Sequence, residues 1–512
     1  MRLTGTTTLR LPAAALVTLA LSLGSLWGQD AATDDIDALF DDPGAMEIID
    51  SAAGDSGATG GAAVAVSPAA AAPSADQGYF RWFGDFSSTV GVNANYADTL
   101  PSLSDLQSPD ESLDLGVTAR LWFDASPDRH YRAFGKLKAD YPFEKSHVVT
   151  DVSDPASPAT ATVTAPNVSI FELFAEFDWN DRLFFRFGKQ TAGWGLSRFY
   201  QIADPLSVGV KDPADPGMDL EGPLALRVAF PLDVNNLYFY AVLKDSYLPK
   251  DGENASVTNA GYGVKGDFLV RVPRNPVLSN GELTLGAYYQ KDLAPKAVIG
   301  YSTGIGTVQV FTDQAFSWGL DSARLTDEEE FAPGSGIYKT VKPDEEIFWS
   351  ATLGAMYVNN DWHFTGYGEY LYNGAGTDDP RYIEKWTARY GAEAMHGSPL
   401  EPSLVAADLF GYLGRHNSAL SLSWSELFGS DKLSASVLYL QNWIDRSGMV
   451  SPSLTLSPFD HFAVVAGVSM IWGGSNNEWV LKNAGLSASD PGNVSYRRFV
   501  GKLAFKLGGG KF

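Results

Sequence analysis

The stretch from Phe171 to Gly195 reads FELFAEFDWNDRLFFRFGKQTAGWG, and its reading decides the fold. In the first arm Leu173, Ala175, Phe177 and Trp179 alternate with Glu172, Phe174, Glu176 and Asp178. After Asn180-Asp181-Arg182, Leu183, Phe185 and Phe187 are set against Phe184, Arg186 and Gln190. Period-two alternation marks β-strands, and turn-forming residues between two such arms make a hairpin. A three-residue turn predicts Glu176 directly opposite Arg186. A soluble sandwich would bury the aromatic face and wet the charged one. A membrane barrel turns that same apolar face to lipid and the charged face to a water-filled lumen. One hairpin fits both, so the choice falls to the rest of the chain.

From Tyr79 onward the pattern recurs: an alternating segment, a short turn, another alternating segment, then a longer polar loop. Segments begin near Phe83, Leu113, Tyr131, Val168, Leu183, Leu224, Leu237, Gly261 and Leu283. Nine more begin near Lys296, Val308, Ile347, Trp362, Ala419, Leu433, Val450, Phe462 and Tyr496. Alternation of short and long connections is the mark of an all-β, antiparallel up-and-down transmembrane barrel with its short turns on one side. The segments number eighteen; if the pair from Lys296 and Val308 folds into an outer loop, sixteen remain. Either size leaves an aqueous channel. Leu113, Leu115, Val117, Ala119, Leu121 and Phe123 share one face for lipid, and Tyr131, Trp179 and Trp362 sit beside short turns, where an interfacial girdle would lie.

Composition agrees. The 512 residues carry 12% aromatics, 51 glycines and only 19% charged side chains, a mix suited to lipid-facing strands around a lumen. Past residue 27 no apolar run is long enough for a spanning helix. A formal charge of −24 argues against a nucleic-acid partner. No cysteine is present, which excludes disulfides and a lipid anchor through Cys.

Three regions follow. Residues 1–28, with Arg2 and Arg10 before the apolar run Leu11 to Trp27, read as a cleaved secretory signal peptide. Residues 29–78 are acidic, with Ile36, Leu39 and Phe40 at helical spacing, then Ala/Gly/Ser/Pro-rich; they read as a periplasmic tether or a short docking helix. Residues 79–512 form the barrel. The expected location is the outer membrane, with lipid around the barrel and a homo-trimer as one possible assembly.

Inward residues carry the chemistry. The strand from Tyr131 points Arg132, Lys136, Lys138 and Asp140 inward beside Arg120, with Glu172 and Glu176 on the next strand and Arg186 after them. Lys502, with Lys506 and Arg498, would close the barrel beside the first strand and add to a basic sector. These charges either neutralise one another and stiffen the wall, or form an eyelet whose basic side selects anions. Asp212, Asp215 and Asp219 in the loop Gly195 to Pro223 could offer oxygen ligands to calcium but lack a diagnostic spacing, and the metal and cofactor expectation is none. The loop Thr377 to His416, with Tyr382, Ile383, Trp386 and Tyr390 on one helical face, either constricts the lumen or caps the mouth. Of six histidines, His130, His363 and His461 fall at predicted periplasmic turns and the others in scattered loops, with no nucleophile beside them, so no enzyme is expected.

Arg186-Phe187-Gly188-Lys189-Gln190, followed by Gly193-Trp194-Gly195 and Asp204-Pro205-Leu206, resembles a strand-end signature of Gram-negative outer-membrane porin-like families, including substrate-specific porins. Glu369 to Gly374 resembles a recurrent strand end in the same barrels. The family-like loop reads Pro-x-Asp where this chain has Asp204-Pro205. The resemblance implies passive diffusion of small hydrophilic solutes, and a C-terminal aromatic, here Phe512 after Gly508 to Gly510, presented to the barrel-assembly machinery. The rival reading is a plugged barrel that displays its loops as an adhesin or ligand-binding protein.

Overall fold

A computed structural model describes residues 78–96, 110–151, 159–218, 220–243, 260–271, 279–330, 334–386, 389, 412–483, 485–486, 494–495 and 498–508. The leader, the acidic tail and Phe512 lie outside the described residues. The strands are β1 Tyr79–Tyr96, β2 Asp110–Asp128, β3 Tyr131–Asp151, β4 Ala159–Trp179, β5 Leu183–Lys189, β6 Leu224–Leu232, β7 Asn235–Leu243 and β8 Gly261–Arg271. They continue as β9 Ser279–Tyr289, β10 Lys296–Ile305, β11 Val308–Trp318, β12 Arg324–Glu329, β13 Tyr338–Val341, β14 Ile347–Asn359 and β15 Phe364–Tyr372. The last are β16 His416–Trp424, β17 Leu433–Asn442, β18 Gly448–Phe459, β19 Phe462–Trp472, β20 Gly485–Leu486, β21 Val494–Ser495 and β22 Phe499–Gly508.

Eighteen of these make one sheet, each strand antiparallel to its neighbours, and β22 pairs back onto β1 to close a barrel. Lys296–Ile305 and Val308–Trp318 are full wall members, so eighteen strands stand and the sixteen-strand alternative falls. Two connections on the long-loop side are themselves short, residues 290–295 and 443–447, so the alternation of lengths is not strict. The hairpin β12–β13 inside the β11–β14 connection has no alternating pattern to reveal it, and neither does the two-residue pair β20–β21.

The central hairpin has the predicted register. Glu176 stands opposite Arg186, and the turn closes through Arg182 N–H donating to Trp179 O at 3.2 Å. Asn180 and Asp181 take φ of 55° and 52°, a left-handed pair that favours Asn and Asp and matches the twist of the arms.

The faces divide as alternation requires. Leu113, Leu173, Trp179, Phe187, Leu353 and Leu507 are exposed on the outer surface. On β3, Tyr131 and Tyr141 are exposed ten residues apart. At ~3.4 Å per residue and a tilt of ~40° they are separated by roughly 26 Å along the barrel axis, the height of an apolar membrane belt. Buried apolar residues lie on the other face and gather in two clusters inside the barrel. Their position follows from a loop.

Candidate functional site

The chain leaves β5 at Lys189 and returns at Leu224, and the connection between them folds into the barrel. Trp194, Phe199, Tyr200 and Leu206 are each 2% exposed or less. Trp194 packs with Tyr240, Tyr288 and Val298 of the β7–β10 wall, its ring centroid 5.5 Å from that of Tyr240. Space for it comes from Gly286, where a Cβ would stand 2.7 Å from the indole, and from Gly263 at 3.2 Å. Phe199 and Tyr200 join Phe311, Tyr367, Leu371, Leu440 and Ile471 of the β11–β19 wall.

Two carboxylates hold this loop. Asp313 of β11 accepts the Leu196 and Ser197 N–H groups, both at 2.7 Å. Glu369 of β15 accepts the N–H groups of Arg198, Phe199 (3.0 Å) and Tyr200 (3.1 Å), and the Tyr367 hydroxyl at 2.5 Å. An irregular loop leaves its backbone donors without secondary-structure partners, and burying them unpaired would be costly; the two side chains supply the acceptors. Ser197 Oγ bonds Thr352 Oγ1, Tyr412 donates to Phe199 O at 3.1 Å, and Lys482 binds Asp212 at 2.5 Å. At its base Glu172 accepts from Thr191 N–H and Oγ, and Gln190 donates to Ala225 O. Gly222 is required here, since a Cβ would overlap the Gln190 carbonyl.

Opposite the loop stands the charged wall. Strand register lines up Arg132, Glu176, Arg186, Arg227 and Tyr240 on adjacent strands. The Glu176 carboxylate serves three guanidiniums: Arg186 at 2.5 Å, Arg132 at 3.3 Å and Arg227 at 3.5 Å. Arg132 also pairs with Asp124 at 2.9 Å. Higher on the wall, Arg120 bonds Asp85 at 3.3 Å and Lys138 bonds Asp140 at 3.2 Å. Lys136 is buried between the Trp122 and Phe171 rings, 5.9 and 5.7 Å from their centroids, a cation–π pairing. A bulge in the β3–β4 pairing leaves Phe171 without a partner and turns both Phe171 and Glu172 inward.

Of the eight candidate residues, Arg120, Arg132, Lys136, Lys138, Glu172, Glu176 and Arg186 therefore share one wall. Lys502 closes the barrel beside β1, opposite Asn93 as expected, and reaches across β1 to Asp114 of β2 at 2.7 Å, apart from the group at Glu176. Glu172 serves the loop base and Arg186 is mostly covered, so the cations most open to the lumen are Arg120, Arg132 and Lys138.

Three functional side chains escaped sequence reading. Arg227 was legible, since alternation puts it on the inner face with Ala225 and Ala229. Asp313 and Glu369 were not, because their partners lie 116 to 171 residues away in sequence. Sequence reading left open whether the loop Thr377 to His416 constricts or caps; the side chains found buried inside the barrel belong to the β5–β6 connection, from Trp194 to Leu206. In the other candidate loop, Tyr338 and the Lys385 ammonium pack together and Lys385 pairs with Asp379, joining its helical residues 382–386 to the β12–β13 hairpin. Calcium ligation by Asp212 finds no support, for its carboxylate is bound to Lys482 and the Ala214 N–H, and Asp219 lies outside the described residues. His130, His363 and His461 fall at short turns, as expected.

No family model matches the sequence, and no curated protein matches it. Among solved structures, the chain is similar to OccK8 (OprE) of Pseudomonas aeruginosa, with 10% identity, a TM-score of 0.43, and coverage of 85% of this chain and 98% of that one. It is similar to OpdL of the same organism at 9% identity and a TM-score of 0.42, with the same coverage. OccAB1 of Acinetobacter baumannii gives 8% identity and a TM-score of 0.41, covering 84% and 97%.

Proposed function

We propose that the chain is an outer-membrane porin that lets small hydrophilic solutes diffuse passively and favours anions. The observation that carries this reading is a closed eighteen-strand barrel, apolar outside, whose inward loop packs on one side and faces a charged wall on the other. The outer belt suits a bilayer, and closure leaves no strand edge around most of the wall. Anion preference follows from the wall's balance. At its centre three guanidiniums, Arg132, Arg186 and Arg227, stand against two carboxylates, Glu176 and Asp124, while Arg120 and Lys138 are each matched by an aspartate, Asp85 and Asp140. A side-chain row with an excess of one sign raises the local concentration of the opposite ion.

The test is single-channel recording in a planar bilayer under a salt gradient. Stable conductance steps with an anion-selective reversal potential are expected. Arg227→Ala should move the potential toward cation preference and Glu176→Gln away from it. Cation selectivity in the unaltered protein, or no movement in either variant, removes the arginine group from the selectivity element. Silence from a folded barrel removes the pore.

A further inference from the structure

The wall is uneven between β4 and β6. On its β3 side β4 is paired from Ala159 to Phe177, but β5 meets it only from Leu173 to Trp179. Among the described residues no backbone hydrogen bond joins 166–172 to anything on the β5 side. The result is a notch of about 420 Å³ in the outer surface, lined by Val168, Ile170, Leu173 and Leu224, with Lys189 and Glu221 at its edge. Those four apolar side chains are all exposed. Lys189 shares the outward face of β5 with exposed Phe187 and binds Glu221 at 2.5 Å. The register sets this pair level with Leu173, and Val168 opposite Ala139, two residues short of exposed Tyr141, so the notch lies within the apolar belt.

Two features of the notch do not suit lipid. A strand edge presents N–H and C=O groups that acyl chains cannot satisfy, and an ion pair on the outer face is poorly solvated there. Both call for a polar partner carried on a protein surface at that depth. The ion pair also says which surface. A cation and an anion side by side are self-complementary: a two-fold axis beside them sets Lys189 of one copy against Glu221 of the other, and the reverse.

We propose that the notch between β4 and β6 is an isologous interface at which a second copy of this chain packs in the membrane. The inference rests on reading the outer belt as lipid-facing. Two barrels related by an axis along the membrane normal set their notches face to face and cover the four apolar side chains.

The experiment uses the full-length protein in lipid nanodiscs, with mass photometry giving the copy number and bilayer recording run in parallel. The unaltered protein should be a dimer. Lys189→Glu should raise the dimer dissociation constant at least tenfold, and Lys189→Glu combined with Glu221→Lys should restore pairing. Because the chain has no cysteine, Ile170→Cys supplies a single thiol; a short bis-maleimide should link it into dimers. Leu420→Cys, on the outer face across the barrel, should stay unlinked. A monomer or a trimer, equal linking at both thiols, or a dimer indifferent to charge reversal overturns the proposal. A conducting monomer overturns the pairing and leaves the porin reading standing, whereas a silent dimer does the opposite.

Discussion

Glu369→Gln isolates what holds the constriction. Glu369 is 3% exposed and its two oxygens receive three backbone N–H groups and the Tyr367 hydroxyl. The amide keeps the shape and one acceptor but turns an NH₂ toward the backbone donors of Phe199 and Tyr200, while the Arg198 N–H keeps its bond to the Tyr367 hydroxyl at 3.1 Å. Hydrogen bonds to a charged acceptor contribute ~1.5–3 kcal/mol each, and a donor left buried and unpaired costs ~1–3 kcal/mol. Losing one oxygen's worth of these bonds weakens the attachment by about 2–4 kcal/mol, the other anchors at Asp313, Thr352 and Lys482 remaining. At 1.4 kcal/mol per tenfold, the detached population of the loop rises by roughly 30- to 700-fold. Single-channel records should then show frequent excursions to a higher conductance, and a protease added from the long-loop side should cut between Leu196 and Asp215. An unaltered conductance level with unaltered noise and protease resistance would refute the assignment of Glu369 as the loop's anchor.

Two further outcomes follow from the same geometry. Gly286→Ala places a methyl 2.7 Å from the Trp194 indole and 2.8 Å from Val298, an overpacking that costs ~1–3 kcal/mol; the Trp emission maximum should move to the red as the ring leaves its slot, and an unmoved spectrum counts against the slot. On the outer side, partial burial pushes the Asp379 carboxyl up, but bonds from Lys385 Nζ and the Arg381 N–H outweigh it and hold it below the ordinary carboxylate range. A depressed carboxyl stabilises above its unfolded value of ~3.9 and loses that contribution as pH falls through the folded one, so cleavage of residues 377–389 by an acid-active protease should rise only below about pH 4. A rise already complete at neutral pH in the intact protein would contradict it.

Most of the barrel was legible because a strand in a two-faced wall must alternate along its whole length. Each of the eighteen alternating segments falls on a wall strand, although β4 begins at Ala159, well before Val168, and the Glu176–Arg186 pairing followed from turn length alone. What alternation cannot convey is a partner chosen across the lumen. Asp313 looks like any inward polar residue, and the sequence marks Glu369 only as the start of a strand end, until the loop's bare N–H groups are placed beside them. Lys502 looked like part of a basic sector for the same reason, since parity puts it inside but says nothing of Asp114. The β12–β13 hairpin escaped because it is short, charged and outside the wall, where neither face is forced to be apolar.

The loop's attachment also sets an order of events. Its seat belongs to β11 and β15, strands that leave the ribosome more than a hundred residues after the loop itself. Bringing such distant segments together is entropically slow, so local hairpins form first. The wall must therefore exist at least as far as β15 before the loop has its full seat. Narrowing of the lumen is thus tied to the pairing of β11 and β15, not to the hairpin that carries the loop.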